Sequence, residues 1–174
     1  MIRPSIVERK PTLTGVLRQP GKSKAQIRHA LGAAEALCAQ RGSRLTALRR
    51  RVLEIVLSNP KPQGAYAILD ILRDEGRRGA PPTVYRALDF LLEQGFVHRL
   101  ASLNVFIGCN QPAANHSSQF LICRQCGNVS EMDSHTVEDA IRVQAADREF
   151  QVEAQMVEVL GLCGKCQSGD AAKI

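Results

Sequence analysis

The stretch Pro81-Pro82-Thr83-Val84-Tyr85-Arg86-Ala87-Leu88-Asp89-Phe90-Leu91-Leu92-Glu93-Gln94-Gly95-Phe96-Val97-His98 changes its period part-way, and that change decides the fold. Val84, Leu88, Leu91 and Leu92 recur at helical spacing. Proline is tolerated in the first turn of a helix and glycine suits the position just past the last. The spacing therefore predicts a helix that starts near Pro82 or Thr83 and ends at Gly95. Residues 96–100 and 104–108 then read as two short strands joined by a turn.

Upstream, three more helices are expected. Ile27, Leu31, Ala34 and Leu37 place one over residues 24–40. Leu48, Val52, Leu53 and Val56 place another from about Thr46, a plausible N-cap, to Ser58. Asn59-Pro60-Lys61-Pro62 stops it, because proline cannot continue the hydrogen-bond ladder. Ile68, Leu69, Ile71 and Leu72 mark a third over residues 65–75. Helices followed by a hairpin give the order of a winged helix-turn-helix module. Downstream, residues 119–123 and 127–131 look strand-like. Residues 134–149 look helical, with Val137, Ile141 and Ala145 inward, and residues 150–162 form an extended strand. The fold class is α+β. A flexible arm (1–23) precedes a winged-helix unit (24–109), a hinge (110–118), a small α/β unit (119–168) and a tail (169–174).

Charge separates the two units. Residues 1–100 hold 18 Lys/Arg and 8 Asp/Glu, whereas residues 101–174 hold 5 and 9, within a net charge of +6. A basic front half suits a polyanion such as double-stranded DNA. No apolar run reaches the roughly 18 residues of a membrane span, and the N-terminus lacks the apolar core of a secretory signal. The expected location is the cytoplasm, where six cysteines point to metal or redox chemistry rather than a disulfide framework.

Cys123-x-x-Cys126 and Cys163-x-x-Cys166 supply two thiolates each from tight turns, as a tetrahedral structural zinc site requires. A lone C-x-x-C would leave a dithiol switch open, but two pairs in one small unit favour metal. A looser constellation is His98, Cys109, His116 and Glu131, drawn from the wing, both flanks of the hinge and a strand of the second unit. One thiolate, two imidazoles and one carboxylate suit zinc better than magnesium or calcium. Such a set is formally neutral around a divalent ion, which favours reversible binding. Thr83, Tyr85 and Arg86 fall off the apolar stripe of their helix. Arg86 could fork onto a guanine edge, with Thr83 and Tyr85 on phosphates. Arg49, Arg50, Arg51, Arg77 and Arg78 would add phosphate contacts, and Tyr66 either contacts a phosphate or packs.

With these residues in view, the chain resembles the ferric uptake regulator family. The resemblance rests on Arg44-Leu45-Thr46, the 81–98 run, Phe120-Leu121-Ile122-Cys123-Arg124-Gln125-Cys126-Gly127 and Gly161-Leu162-Cys163-Gly164-Lys165-Cys166. Within the family it is most similar to the zinc-sensing branch. The resemblance implies a homodimer that binds a palindromic operator and represses zinc-import genes when zinc is plentiful. It implies two zinc ions per protomer, one structural on the four cysteines and one regulatory on His98, Cys109, His116 and Glu131. It further implies that Tyr85 and Arg86 enter the major groove and that Tyr66 contacts DNA. Asp70 and Arg73, on an exposed side of the third helix, are candidates for pairing between two dimers on one operator. Two departures stand out. The iron-sensing branch carries a His-rich run before its first C-x-x-C, where this chain has Asn115-His116-Ser117-Ser118. The zinc branch often has a His-rich tail, absent from 167–174. His135 reads as a surface residue and Cys38 as core packing. The competing readings are an iron or peroxide sensor of the same family, a zinc enzyme or thiol oxidoreductase, and an interaction module with only structural zinc. The enzyme reading lacks an H-x-E or H-E-x-x-H motif and an open metal position.

Overall fold

A computed structural model describes residues 22–77, 80–112, 117–132 and 134–168. Helices α1 (Lys24–Gln40), α2 (Ala47–Ser58), α3 (Ala65–Asp74) and α4 (Pro81–Glu93) lead into strands β1 (Val97–Leu100) and β2 (Val105–Gly108). Then come β3 (Ser118–Cys123), β4 (Val129–Met132), α5 (His135–Ala146), β5 (Met156–Gly161) and α6 (Gly164–Gln167). Strands β1 and β2 form an antiparallel hairpin, and β4-β3-β5 form a separate sheet in which β3 is antiparallel to β4 and parallel to β5.

The helix boundaries follow local chemistry. Ser23, placed in the arm by the sequence, instead caps α1. Its hydroxyl accepts from the Gln26 N–H at 3.2 Å while the Gln26 side chain accepts from the Ser23 N–H at 2.8 Å, a reciprocal capping box. Thr46 caps α2 as expected. Gly95 takes φ +71° just past α4. Its N–H donates to the Leu92 carbonyl and that of Phe96 to the Leu91 carbonyl, so the helix turns directly into β1.

A first core joins α1–α4 through Leu31, Val52, Leu53, Ile68, Leu72, Leu88 and Leu91, and reaches Val97 and Phe106 of the hairpin. Cys38 lies inside it, 1% exposed. A second core joins Leu100 and Ile107, with Val105 beside them, to Phe120, Ile122 and Val129 of the sheet. Successive residues of a strand face opposite sides, so the hairpin is shared. Val97 and Phe106 face the helices, whereas Leu100, Val105 and Ile107 face the sheet. The close seating of the hairpin on α2 shows at Gly108, where an added Cβ would lie 2.5 Å from Leu57 Cδ2.

Three expectations change. The last strand begins at Met156 rather than at residue 150. Glu149 turns the chain at φ +55° and Phe150 is 68% exposed. A short helix, α6, follows the strand inside the second cysteine turn. The face of α5 expected to be inward holds no buried residue; Ile141 is exposed and Val137 and Ala145 are half-buried. An apolar stripe on a helix is stable only when something covers it, and within one chain nothing among the described residues fully does. Among the described residues no helix is long and apolar enough to cross a membrane.

Candidate metal centres and nucleic-acid interface

The four paired cysteines converge. Parallel pairing sets Cys123, at the end of β3, beside Gly161, at the end of β5, so both C-x-x-C turns leave the same edge of the sheet. The first turn closes with the Gly127 N–H on the Cys123 carbonyl at 2.9 Å. The second closes with the Cys166 N–H on the Cys163 carbonyl at 2.9 Å. The sulfurs of Cys123, Cys126, Cys163 and Cys166 all lie within 4.8 Å of one another. Cys126 Sγ and Cys163 Sγ are 3.8 Å apart. That is far beyond a disulfide bond and close to the edge of a tetrahedron with zinc–sulfur bonds of about 2.3 Å. Backbone N–H groups of Cys126 and Cys163 pull the Cys123 thiol down to about 6, while burial and the neighbouring Cys163 thiol push Cys166 up to about 12. The donor set and its geometry fit zinc.

The second constellation sits on the seam between hairpin and sheet. His98 lies on the sheet-facing side of β1, its ring 5.5 Å from that of Phe120, with Ser118 Oγ 3.1 Å from Nδ1. His98 Nε2 comes within 4.0 Å of Glu131 Oε1 on β4. Asn110 Nδ2 donates to Glu131 Oε2 at 2.6 Å, orienting the carboxylate. Cys109, just after β2, is 4% exposed; its N–H donates to the Phe96 carbonyl at 2.9 Å and its sulfur accepts from the Gln111 N–H at 3.3 Å. Burial pushes its thiol up to about 11, with the nearby Glu131 charge adding to the rise. His116 lies outside the described residues. Lys22, read from sequence as part of the arm, stands half-buried here. Burial lowers its pKa, and the charges of Cys109 and Glu131 pull the other way. Its place follows from where Ser23 starts α1, which sequence spacing alone did not reveal.

On α4, Thr83, Tyr85 and Arg86 all face solvent, and on α3 Tyr66 is 65% exposed. Three of the arginines expected to contact phosphates also make contacts within the protein. Arg49 lies over the Phe90 ring at 3.6 Å and donates to the Arg44 carbonyl at 2.8 Å. Arg51 pairs with Glu54 at 2.8 Å and with Glu75 at the end of α3. Arg77 reaches Glu75 at 3.5 Å. Arg78 lies outside the described residues. Asp70 and Arg73 pair along α3 at 3.5 Å and remain exposed. His135 is a surface residue, 3.9 Å from Glu138.

The ferric uptake regulator family profile matches residues 40–160. The chain belongs to the ferric uptake regulator family. It is 41% identical over 153 residues to the zinc uptake regulation protein of Escherichia coli K12, an alignment covering 86% of this chain and 88% of that protein. Two solved structures share its architecture. A zinc uptake regulator complexed with zinc and DNA superposes with a TM-score of 0.79 at 40% identity, covering 87% of this chain and all of the other. Holo XcZur superposes with a TM-score of 0.72 at 45% identity, covering 79% and 96%. Membership places the chain in a family of transcription regulators.

Proposed function

We propose that the protein is a zinc-responsive transcriptional repressor in the cytoplasm, a homodimer that binds palindromic operator DNA with zinc as corepressor and controls zinc uptake genes. One observation carries this beyond family likeness. His98 of the hairpin faces Glu131 of the sheet at 4.0 Å, with buried Cys109 at the base of the same hairpin. Donors that meet across a seam make a metal ion a tie between two units.

Each protomer takes two zinc ions. Cys123, Cys126, Cys163 and Cys166 hold the structural one, and His98, Cys109, His116 and Glu131 hold the regulatory one. Zinc supplies a cation that binds nitrogen, sulfur and oxygen donors together. His98 and Cys109 then fix the hairpin, Glu131 fixes the sheet, and α4 follows the hairpin through the Gly95 turn. The exposed apolar residues Ile141, Val143, Met156 and Val159 are covered by the second copy. Two copies of α4 so placed suit successive major grooves about one helical turn apart. Arg86 reads a base edge, Thr83, Tyr85 and Tyr66 contact the backbone, and Asp70 and Arg73 exchange partners between two dimers on a long operator. Coupling of about 1–3 kcal/mol between metal and DNA is typical of such devices.

Metal-selective operator binding tests the reading. Purified protein retaining its four-cysteine metal is titrated with buffered zinc, iron(II) or manganese(II) against operator DNA. Binding should switch on with zinc, and Arg86→Ala should cost about 1–3 kcal/mol on the correct operator. Equal response to iron(II), which the single histidine before Cys123 speaks against, would move the protein to the iron-sensing branch.

A further inference from the structure

The register of the three-stranded sheet aligns three residues in one transverse row. Phe120 of β3 pairs with Glu131 of β4 on one side and with Glu158 of β5 on the other. Cross-strand partners point to the same face, and this face carries the hairpin. Phe120, 1% exposed, lies at its centre. At one end Glu131 meets His98. At the other, Glu158 reaches the hairpin turn, where Oε1 accepts the Ala101 N–H at 2.6 Å and Oε2 accepts the Ser102 N–H at 3.1 Å and the Ser102 hydroxyl. Burial opposes ionisation of Glu158, yet these three donors outweigh it and hold its carboxyl below the usual range.

We propose that Glu158 is a second, metal-independent anchor of the DNA-binding unit, clamping the hairpin turn to β5 so that the row grips the hairpin at two points. This rests on the repressor reading above. The two ends of the row are two strand spacings apart, about 10 Å. The apolar packing of Leu100 and Ile107 on Phe120 and Ile122 is non-directional, so a single polar tie at the metal end would leave the hairpin able to pivot about it, and α4 would pivot with it. A tie at each end removes that rotation. The carboxylate suits the task because charge-assisted bonds to backbone N–H groups are strong and directional. The tip of the wing thus serves docking within the protein, since two of its N–H groups and a hydroxyl are already given to Glu158. Glu158 acts as a positioning residue for operator binding and touches neither DNA nor metal.

The test uses full-length dimer with its four-cysteine zinc intact, comparing wild type, Glu158→Gln and Ser102→Ala. Glu158→Gln keeps the side-chain shape and removes the charge. Three quantities are read: amide hydrogen exchange at residues 97–108, operator affinity at saturating zinc, and zinc affinity of the regulatory site. In Glu158→Gln, exchange at Ala101 and Ser102 should rise about tenfold, as expected for loss of a charged hydrogen bond, with α2–α4 unchanged. Operator affinity should fall by a similar factor while zinc content and dimer mass stay the same, and zinc affinity should fall in parallel because the hairpin is less well placed. Ser102→Ala should shift each quantity the same way by less. Hairpin exchange within twofold of wild type would overturn the anchor, and so would faster exchange with unchanged operator affinity. If wild type itself failed to respond to zinc on operator DNA, the repressor reading would fall, and the exchange measurement would still decide whether Glu158 holds the turn.

Discussion

The four-cysteine cluster and the His98–Glu131 seam differ in what the polypeptide arranges before any metal binds. The cluster is local. Two turns leave adjacent ends of one sheet, and parallel pairing of β3 and β5 brings their sulfurs within 4.8 Å. Backbone N–H groups of Cys126 and Cys163 pull the Cys123 thiol down, whereas burial pushes Cys166 up. The seam draws donors from β1, the residue after β2, and β4. These elements meet only when hairpin and sheet dock, and the seam's cysteine is buried and pushed up to about 11. The local geometry favours retention and the docked seam favours reversible occupation, as the proposed structural centre and the proposed sensor respectively require.

The largest expected effect breaks the first site. Cys166→Ser should abolish tight zinc retention, because structural zinc contributes about 10–16 kcal/mol in small domains. The β3–β5 sheet and the dimer should be lost while α1–α4, with their own core, stay folded. Zinc content and thermal melts followed by circular dichroism check this; a folded dimer without zinc would contradict it. Next in size is the linkage at the seam. Operator DNA should tighten zinc binding there by about 5–150-fold, matching the effect of zinc on DNA binding, with no change in retention by the four cysteines. Competition with a chelator of known affinity, with and without operator, separates the two. Smaller is the effect of pH. A thiol whose pKa is raised binds metal only on losing its proton, so acidification lowers apparent zinc affinity at the seam by about tenfold per unit. Titrations at several pH values, with proton release measured by calorimetry, check the sign. The smallest effect is expected at Asp70. Its pair with Arg73 is exposed, and such pairs are worth about 0–1 kcal/mol. Asp70→Lys should reduce cooperativity on a long operator and leave single-dimer binding and both metal sites intact.

The same contrast explains how much the sequence revealed. The cysteine pairs announce themselves by spacing, and the 81–98 run carries its helix, glycine stop and strand in consecutive residues. The proposed ligands at the seam are 33 residues apart, from His98 to Glu131; only their type and the family likeness pointed to them. Periodicity cannot show partners distant in sequence. The pairing of Arg51 with Glu75, 24 residues away, was likewise not legible from spacing. Glu158 was invisible in a valine-rich strand, since its role depends on the parallel register with Phe120. The stripe of α5 was legible as apolar, but its periodicity does not say what covers it, and no described residue of this chain fully does. The start of β5 was misplaced because residues 150–155 are apolar enough to extend it, whereas Glu149 turns the backbone away.

The most direct test of the account compares wild type with Cys109→Ser, both retaining four-cysteine zinc, in operator binding across a range of buffered free zinc. The account predicts that wild type binds above a threshold of free zinc, and that the variant, still folded and dimeric, loses that response. Equal binding by both at every zinc level would mean that zinc is only structural here and that the seam senses nothing.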